Sequence, residues 1–353
     1  MGQTVNLLSL DFGGSNPSSP TKKRPEKGRF FVGGDGFEDV PYFSSLRERA
    51  HFVRLAAYPA ALTLRVRPIT LYHWNTFSKK YVTSRQQIVP IMKITIIGAG
   101  NMGGAIARGF AAKKVFAAKD ITCCDRSDAT LEALKKDVPG IGISKENAKA
   151  VKGADIVLFA VKPWILPSAV EEVKEALDYK KQLIISIAAG VGLDKLAELF
   201  EKGSEKAQVV YLIPNIAVEV GAGVFFYCSN TATKKNLDLI QKLFGQVGFA
   251  KQVEEKQMTA GTALASCGIA YVFRYIRANV EGGVEMGFYP KDAQEIVLGT
   301  IKGAVELLLA HESHPEQEVD KVTTPGGITI KGLNAMEEAG FTNAVIKGLK
   351  AGK

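Results

Sequence analysis

Residues 92–104 read Met-Lys-Ile-Thr-Ile-Ile-Gly-Ala-Gly-Asn-Met-Gly-Gly. The β-branched run Ile94–Ile97 leads straight into Gly98-Ala99-Gly100-Asn101-Met102-Gly103, and a helical pattern carrying Ile106 and Phe110 follows. A dinucleotide-binding turn requires this order of strand, glycine turn and helix. Gly98 permits the tight turn, Gly100 lets backbone approach a pyrophosphate, and Gly103 lets the helix pack on the strand. The helix N-terminus offers free N–H groups and a positive dipole end to phosphate. An ordinary glycine-rich turn would share the glycines. The strand before it and the helix after it favour the nucleotide site.

Beyond this turn, apolar runs and helical patterns alternate. Strands are expected at Ile121–Cys124, Ile156–Val161, Leu183–Ala188, Gln208–Ile213, Val224–Cys228 and Gly248–Val253, with helices at Thr130–Lys136, Ser168–Leu177 and Leu193–Phe200. Strands separated by helices imply a Rossmann-type, doubly wound parallel sheet with helices on both faces. Ligands of such sheets bind at the carboxyl ends of the strands. Here those ends are Gly98–Gly103, Asp125-Arg126, Lys162-Pro163, Ala188–Gly190 and Pro214-Asn215. The character changes near residue 254. Leu264, Ile269, Val272, Ile276, Val280 and Val284 recur at helical spacing, predicting one long helix over 254–285. Asp292–Leu309 and Leu333–Leu349 predict two more. The expected organisation is a dinucleotide-binding domain over 92–253 and an all-helical domain over 254–353.

Residues 1–91 differ in composition. Gly13-Gly-Ser-Asn-Pro-Ser-Ser-Pro20 and Thr21-Lys-Lys-Arg-Pro-Glu-Lys27 are linker-like, and Met92 reads as a natural start. A disordered extension is expected. An organelle transit segment is the rival, and Asp35, Glu38 and Asp39 weigh against it. The extension also explains the charge. It holds 13 Lys+Arg against 6 Asp+Glu, so +7 of the net +9 lies there and +2 in the remainder. Small anionic metabolites therefore suit the body of the chain better than a nucleic-acid backbone. No stretch has the apolar length to cross a bilayer. Cys123, Cys124, Cys228 and Cys267 have neither CxxC nor metal spacing, which predicts reduced thiols, a cytoplasmic setting and no metal site.

Five motifs stand in order: Gly98-Ala-Gly-Asn-Met-Gly103, Val161-Lys-Pro163, Pro214-Asn215, Thr262-Ala-Leu-Ala-Ser-Cys-Gly-Ile-Ala-Tyr271 and Val322-Thr-Thr-Pro-Gly-Gly-Ile-Thr329. Together they resemble the pyrroline-5-carboxylate reductases from residue 92 to about 350. The Thr-Pro-Gly-Gly-Ile-Thr loop is far more specific than the glycine turn. The resemblance implies a Rossmann domain, a helical dimerisation domain, a homodimer or higher homo-oligomer, and reduction of a carboxylate-bearing cyclic imine by a nicotinamide cofactor. The chain departs from the family pattern in three places. Tyr211-Leu-Ile-Pro-Asn-Ile-Ala217 replaces Arg-Val-Met-Pro-Asn-Thr-Pro, so Tyr211 and Ile216 are unusual. Ala265-Ser-Cys-Gly-Ile-Ala270 replaces Ser-Gly-Ser-Gly-Pro-Ala, changing Ala265 and Ile269. Thr324 and Ile328 replace a Ser and a Thr, and Ile328 lacks the hydroxyl.

The resemblance assigns roles as follows. The Thr262 hydroxyl would lie near the imine nitrogen, where it can donate or accept. A helix threonine bonded to its own backbone is the bland alternative. Thr324, Gly326, Gly327, Ile328 and Thr329 would hold the substrate carboxylate through exposed N–H groups. A tight interhelical turn accounts for the same residues. Cofactor contacts fall to Gly98, Ala99, Gly100, Asn101, Met102, Gly103, Asp125, Arg126, Ser127, Val161, Lys162, Pro163 and Asn215. Lys162 either touches ribose or covers the strand end. Asn215 is expected to orient the nicotinamide or substrate. An acid after the second strand suits the ribose of NADH, and an adjacent Arg suits the 2′-phosphate of NADPH. Asp125-Arg126 contains both, and the family habit tilts the choice to NADPH. His311 and His314 read as solvated charges at a helix end. A β-hydroxy acid dehydrogenase would need a lysine within the long helix, where only Lys256 stands, at its start. A catalytically silent dinucleotide-binding protein is the other rival.

Overall fold

The computed structural model describes residues 27–31, 37–41 and 92–352. Strands β1 (Lys27–Phe31) and β2 (Phe37–Pro41) form an antiparallel pair, with Lys27 opposite Pro41. The rest of the 1–91 extension, with its linker motifs, lies outside the described residues.

The second unit is built on an eight-stranded sheet. In chain order its elements are β3 (Ile94–Ile97), α1 (Asn101–Ala112), β4 (Ile121–Cys124), α2 (Asp128–Asp137), β5 (Gly142–Ser144), α3 (Asn147–Ala150), β6 (Ile156–Phe159), α4 (Leu166–Val173), β7 (Leu183–Ser186), α5 (Leu193–Leu199), β8 (Gln208–Pro214), β9 (Gly223–Cys228), α6 (Lys234–Phe244) and β10 (Gly248–Gln252). The spatial order is β10-β9-β8-β7-β6-β3-β4-β5. From β3 the chain winds out through β4 and β5, then returns to the other side of β3 as β6. This reversal opens a crevice at the carboxyl ends of β3, β4 and β6.

Strands β3, β6 and β7 are buried at every residue, as central parallel strands must be. Successive side chains point to opposite faces, so β3 feeds two cores. Ile94 and Ile96 join Ile106, Phe110, Phe225 and Phe244 on one face. Ile97 joins Val157, Phe159, Leu196 and Phe200 on the other. Phe110 lies 5.2 Å from Phe244, which lies 4.9 Å from Phe225, ring centre to ring centre. The doubly wound expectation holds, with one correction: β8 and β9 are antiparallel. The connection between them is short, residues 215–222, and holds a 3-10 turn (Ile216–Val220) and Gly221 at φ +74°. A parallel return needs a crossover of about a dozen residues or more.

The helical region follows: α7 (Glu255–Gly261), a π-turn (Thr262–Cys267), α8 (Gly268–Glu285), α9 (Pro290–His311), α10 (Pro315–Val322), α11 (Ile328–Glu338) and α12 (Phe341–Ala351). The single helix expected over 254–285 runs unbroken from Glu255 to Glu285, with the π-turn as a wider segment inside it. The helix expected over 333–349 is two helices, because Gly340 takes φ +81° and ends the run. Gly261 lies against the Phe226 ring, which seats the start of the π-turn on β9. Helices α8 and α9 close on one another where Gly283 meets Ala293, near enough that a methyl at Gly283 would press on the Ala293 methyl.

Candidate active site

The glycine turn has a separate reason for each glycine. Gly98 sits at φ +98°, and its N–H donates to the Cys124 carbonyl at 2.7 Å, extending the β3–β4 ladder. A methyl at Gly103 would overlap the Gly98 carbonyl oxygen. A methyl at Gly100 would meet nothing within 4 Å, so this face is open for a ligand. Helix α1 begins at Asn101 with no side-chain cap and no acid in its first turn. Its N-terminal N–H groups and dipole are uncompensated there.

A cavity of about 1030 Å³ runs along the strand ends. Of the residues assigned to the cofactor, Gly98, Gly100, Asn101, Met102, Asp125, Arg126, Val161, Lys162 and Pro163 line it. Ala99, Gly103, Ser127, Asn215 and Thr262 do not, and neither does any of Thr324, Gly326, Gly327, Ile328 and Thr329. Ala99 and Gly103 stand behind the wall, buried. The Ser127 hydroxyl caps α2, accepting from Thr130 N–H at 3.2 Å.

Asp125 braces the turn. One carboxylate oxygen accepts from Ala99 N–H at 2.9 Å and the other from Ser127 N–H at 3.0 Å. Arg126 beside it is exposed and has no partner among the described residues. Lys145 and Asn147, missed by the sequence analysis, line the same end. Lys145 pairs with Asp128 at 3.0 Å, and Asn147 donates to Glu172 at 2.9 Å. They follow β5, a three-residue strand too short for any periodicity to reveal.

The other end is formed by Ile187, Ala188 and Ala189 after β7, by Ile213 and Pro214 of β8, and by Ser266. Tyr211, an unusual residue in the family pattern, accepts from Gly190 N–H at 3.1 Å and so pins the loop after β7. Burial raises its hydroxyl above the ordinary tyrosine range. Glu255 accepts from Leu193 N–H at 2.6 Å, tying the first helical turn of α7 to the same region.

Asn215 differs from expectation. It is buried, its oxygen accepts from Val224 N–H at 3.0 Å, and its amide donates to the Ala265 carbonyl at 3.3 Å. It joins β8, β9 and the π-turn. Thr262 donates its hydroxyl hydrogen to the Met258 carbonyl at 2.8 Å, the backbone bond named above as its bland alternative. In the loop before α11, Gly326 is at φ +71° and Gly327 N–H donates to the Thr324 carbonyl at 2.9 Å. The turn itself therefore needs its glycines. Ile328 is 87% exposed, and Thr324 and Thr329 are exposed beside it.

The histidines are not free charges. His311 lies 3.1 Å from Glu318, and His314 caps α10 by accepting from Glu316 N–H at 3.3 Å. Glu318 also accepts from Ser313 and Lys321, and these bonds lower its carboxyl to about 2, Lys321 contributing most. Burial pushes the Cys123 and Cys124 thiols up to about 12, so they act as apolar filling. Among the described residues no group of three acids, histidines or cysteines could hold a metal, and no helix is long and apolar enough to cross a membrane.

Comparison with known proteins follows the same division. The family described as pyrroline-5-carboxylate reductase dimerisation matches residues 255–353, and that described as NADP oxidoreductase coenzyme F420-dependent matches residues 93–190. Pyrroline-5-carboxylate reductase 1 of Dictyostelium discoideum is 35% identical over 268 residues, covering 72% of this chain and 48% of that protein. The Methanosarcina acetivorans pyrroline-5-carboxylate reductase is 36% identical over 266 residues, covering 74% of this chain and 97% of that one. The crystal structure of Plasmodium falciparum pyrroline carboxylate reductase with NADP bound superimposes with a TM-score of 0.66 at 30% identity, covering 74% and 95%.

Proposed function

The chain belongs to the pyrroline-5-carboxylate reductase family, and we propose that it reduces 1-pyrroline-5-carboxylate to L-proline with NADPH. The observation that carries this is the cavity that begins at the glycine turn and ends at Ser266 of the helical region. Its volume and its lining along the strand ends suit a dinucleotide. Gly98, Gly100, Asn101 and Met102 cradle the pyrophosphate on the N-terminus of α1. Ala99 and Gly103 support them from behind. The adenosine end favours NADPH. Both Asp125 oxygens already hold backbone N–H groups, whereas Arg126 is free to meet a 2′-phosphate. Ser127 starts the helix there. NADH fits the same cavity without that contact. Val161, Lys162 and Pro163 flank the ribose on the nicotinamide side, and Asn215 acts from behind the wall. When bound, the cofactor supplies hydride to the imine carbon.

The carboxylate loop, Thr324 to Thr329, stands outside the cavity of its own chain. A second copy would bring its loop to that cavity, with the Gly327 N–H holding the turn through the Thr324 carbonyl and the N–H groups of Gly326 and Ile328 facing the carboxylate. Thr324 and Thr329 keep hydroxyls for it, and Ile328 contributes backbone alone. Thr262, the hydroxyl that the family resemblance places near the imine nitrogen, stands four positions before the cavity-lining Ser266, with its hydrogen held by the Met258 carbonyl. We assign 92–253 to dinucleotide binding and 254–353 to dimerisation and substrate. The protein acts as a homodimer, or an oligomer of dimers, in the cytoplasm. Its partner is a small imine, not nucleic acid or membrane. A β-hydroxy acid dehydrogenase is disfavoured, since Lys256 is exposed and paired with Glu254.

The test is a steady-state assay of the full chain with 1-pyrroline-5-carboxylate and each reduced cofactor, with proline identified by chromatography. Imine-dependent NADPH oxidation matched by proline is expected. A protein that binds NADPH but oxidises none with imine present would overturn the assignment.

A further inference from the structure

We propose that the Ser266 hydroxyl is the group of this chain that meets the substrate nitrogen. This rests on the imine-reductase assignment above. Four observations lead to it. Ser266 lines the cavity at the end formed by Ala188, Ala189, Ile213 and Pro214. Its hydroxyl has no partner among the described residues. The nearby candidate, Thr262, lies outside the lining and has committed its hydrogen to Met258. The backbone that carries Ser266 is a π-turn, and π-turns cluster at functional sites because they re-aim side chains within a helix. Asn215, itself buried, fixes that turn to the sheet by donating to the Ala265 carbonyl.

The sequence difference points the same way. Where the family pattern has Ser-Gly-Ser-Gly, this chain has Ala265-Ser266-Cys267-Gly268. One flanking serine becomes alanine and the other cysteine, and a hydroxyl appears at the glycine between them. The chain has moved its hydroxyl to the position that the π-turn presents to the cavity.

The chemistry requires a group that can both accept and donate. Hydride from the dihydronicotinamide, one hydrogen with two electrons, forms the new C–H bond and leaves the oxidised cofactor. The C=N π pair withdraws onto nitrogen. A nitrogen protonated on entry keeps its hydrogen and gains a lone pair, so no proton is taken from the protein. Before transfer the nitrogen donates, and afterwards it can also accept. Ser266 can accept first and then donate as its hydroxyl rotates. Thr262, its hydrogen held by Met258, can only accept.

The test compares wild type with Ser266→Ala, Ser266→Thr and Thr262→Ala in the full chain. The readouts are kcat, KM for the imine, and NADPH Kd by fluorescence titration. Ser266→Ala should lower kcat and kcat/KM roughly five- to tenfold, the size of one hydrogen bond made at the transition state, with NADPH Kd unchanged. Ser266→Thr should recover most of the loss. An unchanged Kd shows that each variant is folded. Wild-type kcat in Ser266→Ala would overturn the proposal, as would a loss that Thr does not recover. A larger loss in Thr262→Ala than in Ser266→Ala would return the role to Thr262 and also overturn it. Absence of imine reduction in wild type would instead remove the parent assignment.

Discussion

The sheet and the helices that follow it bury their apolar residues in opposite ways. From Ile94 to Ala250 the strands and their helices enclose two cores, and Phe110, Phe159, Phe200, Phe225 and Phe244 are fully buried. From residue 254 onward Met258, Ala263, Val280 and Ala293 are the buried hydrophobics, while Leu264, Phe273, Met286, Tyr289, Leu309 and Val322 stand exposed. Both regions have strong apolar patterns. The sheet finds its partners within one chain, and the helices do not. An exposed apolar face of this extent on regular helices marks an interface. The homodimer proposed above would cover this face, which lies in the region matched by the dimerisation family.

That contrast can be broken from the sheet side first. Phe110→Ala should cost about 3–5 kcal/mol, the usual loss for a buried aromatic. Chemical denaturation at several protein concentrations checks it. The loss should be the same at each concentration, because the core lies within one chain. A loss that grew on dilution would mean that the sheet also depends on a second copy.

The junction between the regions comes next. Asn215→Ala should leave the Val224 N–H without its acceptor and remove one of the two donors to the Ala265 carbonyl, at about 1–3 kcal/mol of stability. It should lower kcat more than it weakens NADPH, because the bond holds the π-turn and not the nucleotide. Equal effects on both would place Asn215 at the cofactor.

Smaller effects sharpen the account of each region's own site. Arg126→Ala should weaken NADPH by about 1.5 kcal/mol, the low end for a charged hydrogen bond, because Arg126 is exposed. NADH affinity should hold. Equal weakening in a paired titration would remove Arg126 from the phosphate site. In the helical region, Glu318 has its carboxyl lowered to about 2 from an ordinary value of 4.5. Its contribution is complete above about pH 4.5 and fades as the pH falls towards 2. Thermal unfolding of wild type and Glu318→Gln should therefore differ at neutral pH and converge in acid. A constant gap would show that the carboxylate's charge is not what matters.

The features legible in the sequence were those whose cause is local. Gly103 answers to Gly98 within the same turn, and the spacing of the three glycines between a strand and a helix revealed the set. The antiparallel β9 was hidden because a five-residue 3-10 turn leaves no mark in the apolar pattern. The π-turn left one mark, the five-residue step from Leu264 to Ile269 among the three- and four-residue steps that follow it. The bracing role of Asp125 and the bracket made by Asn215 depend on partners 26 and 50 positions away in sequence, at Ala99 and Ala265. The place of Thr324–Thr329 outside its own cavity followed from no local pattern. The loop's chemistry is written in one chain and its position is set by the fold.

The most direct test of the contrast is the mass of the protein in solution before and after a charge is placed on the helical face. Phe273 is 57% exposed on α8, so Phe273→Glu should leave the isolated chain folded. Sedimentation of wild type should give a dimer or a multiple of it. The variant should sediment as a monomer, bind NADPH normally and reduce no imine. A wild-type monomer with full activity, or a monomeric variant that still turns over, would contradict the account.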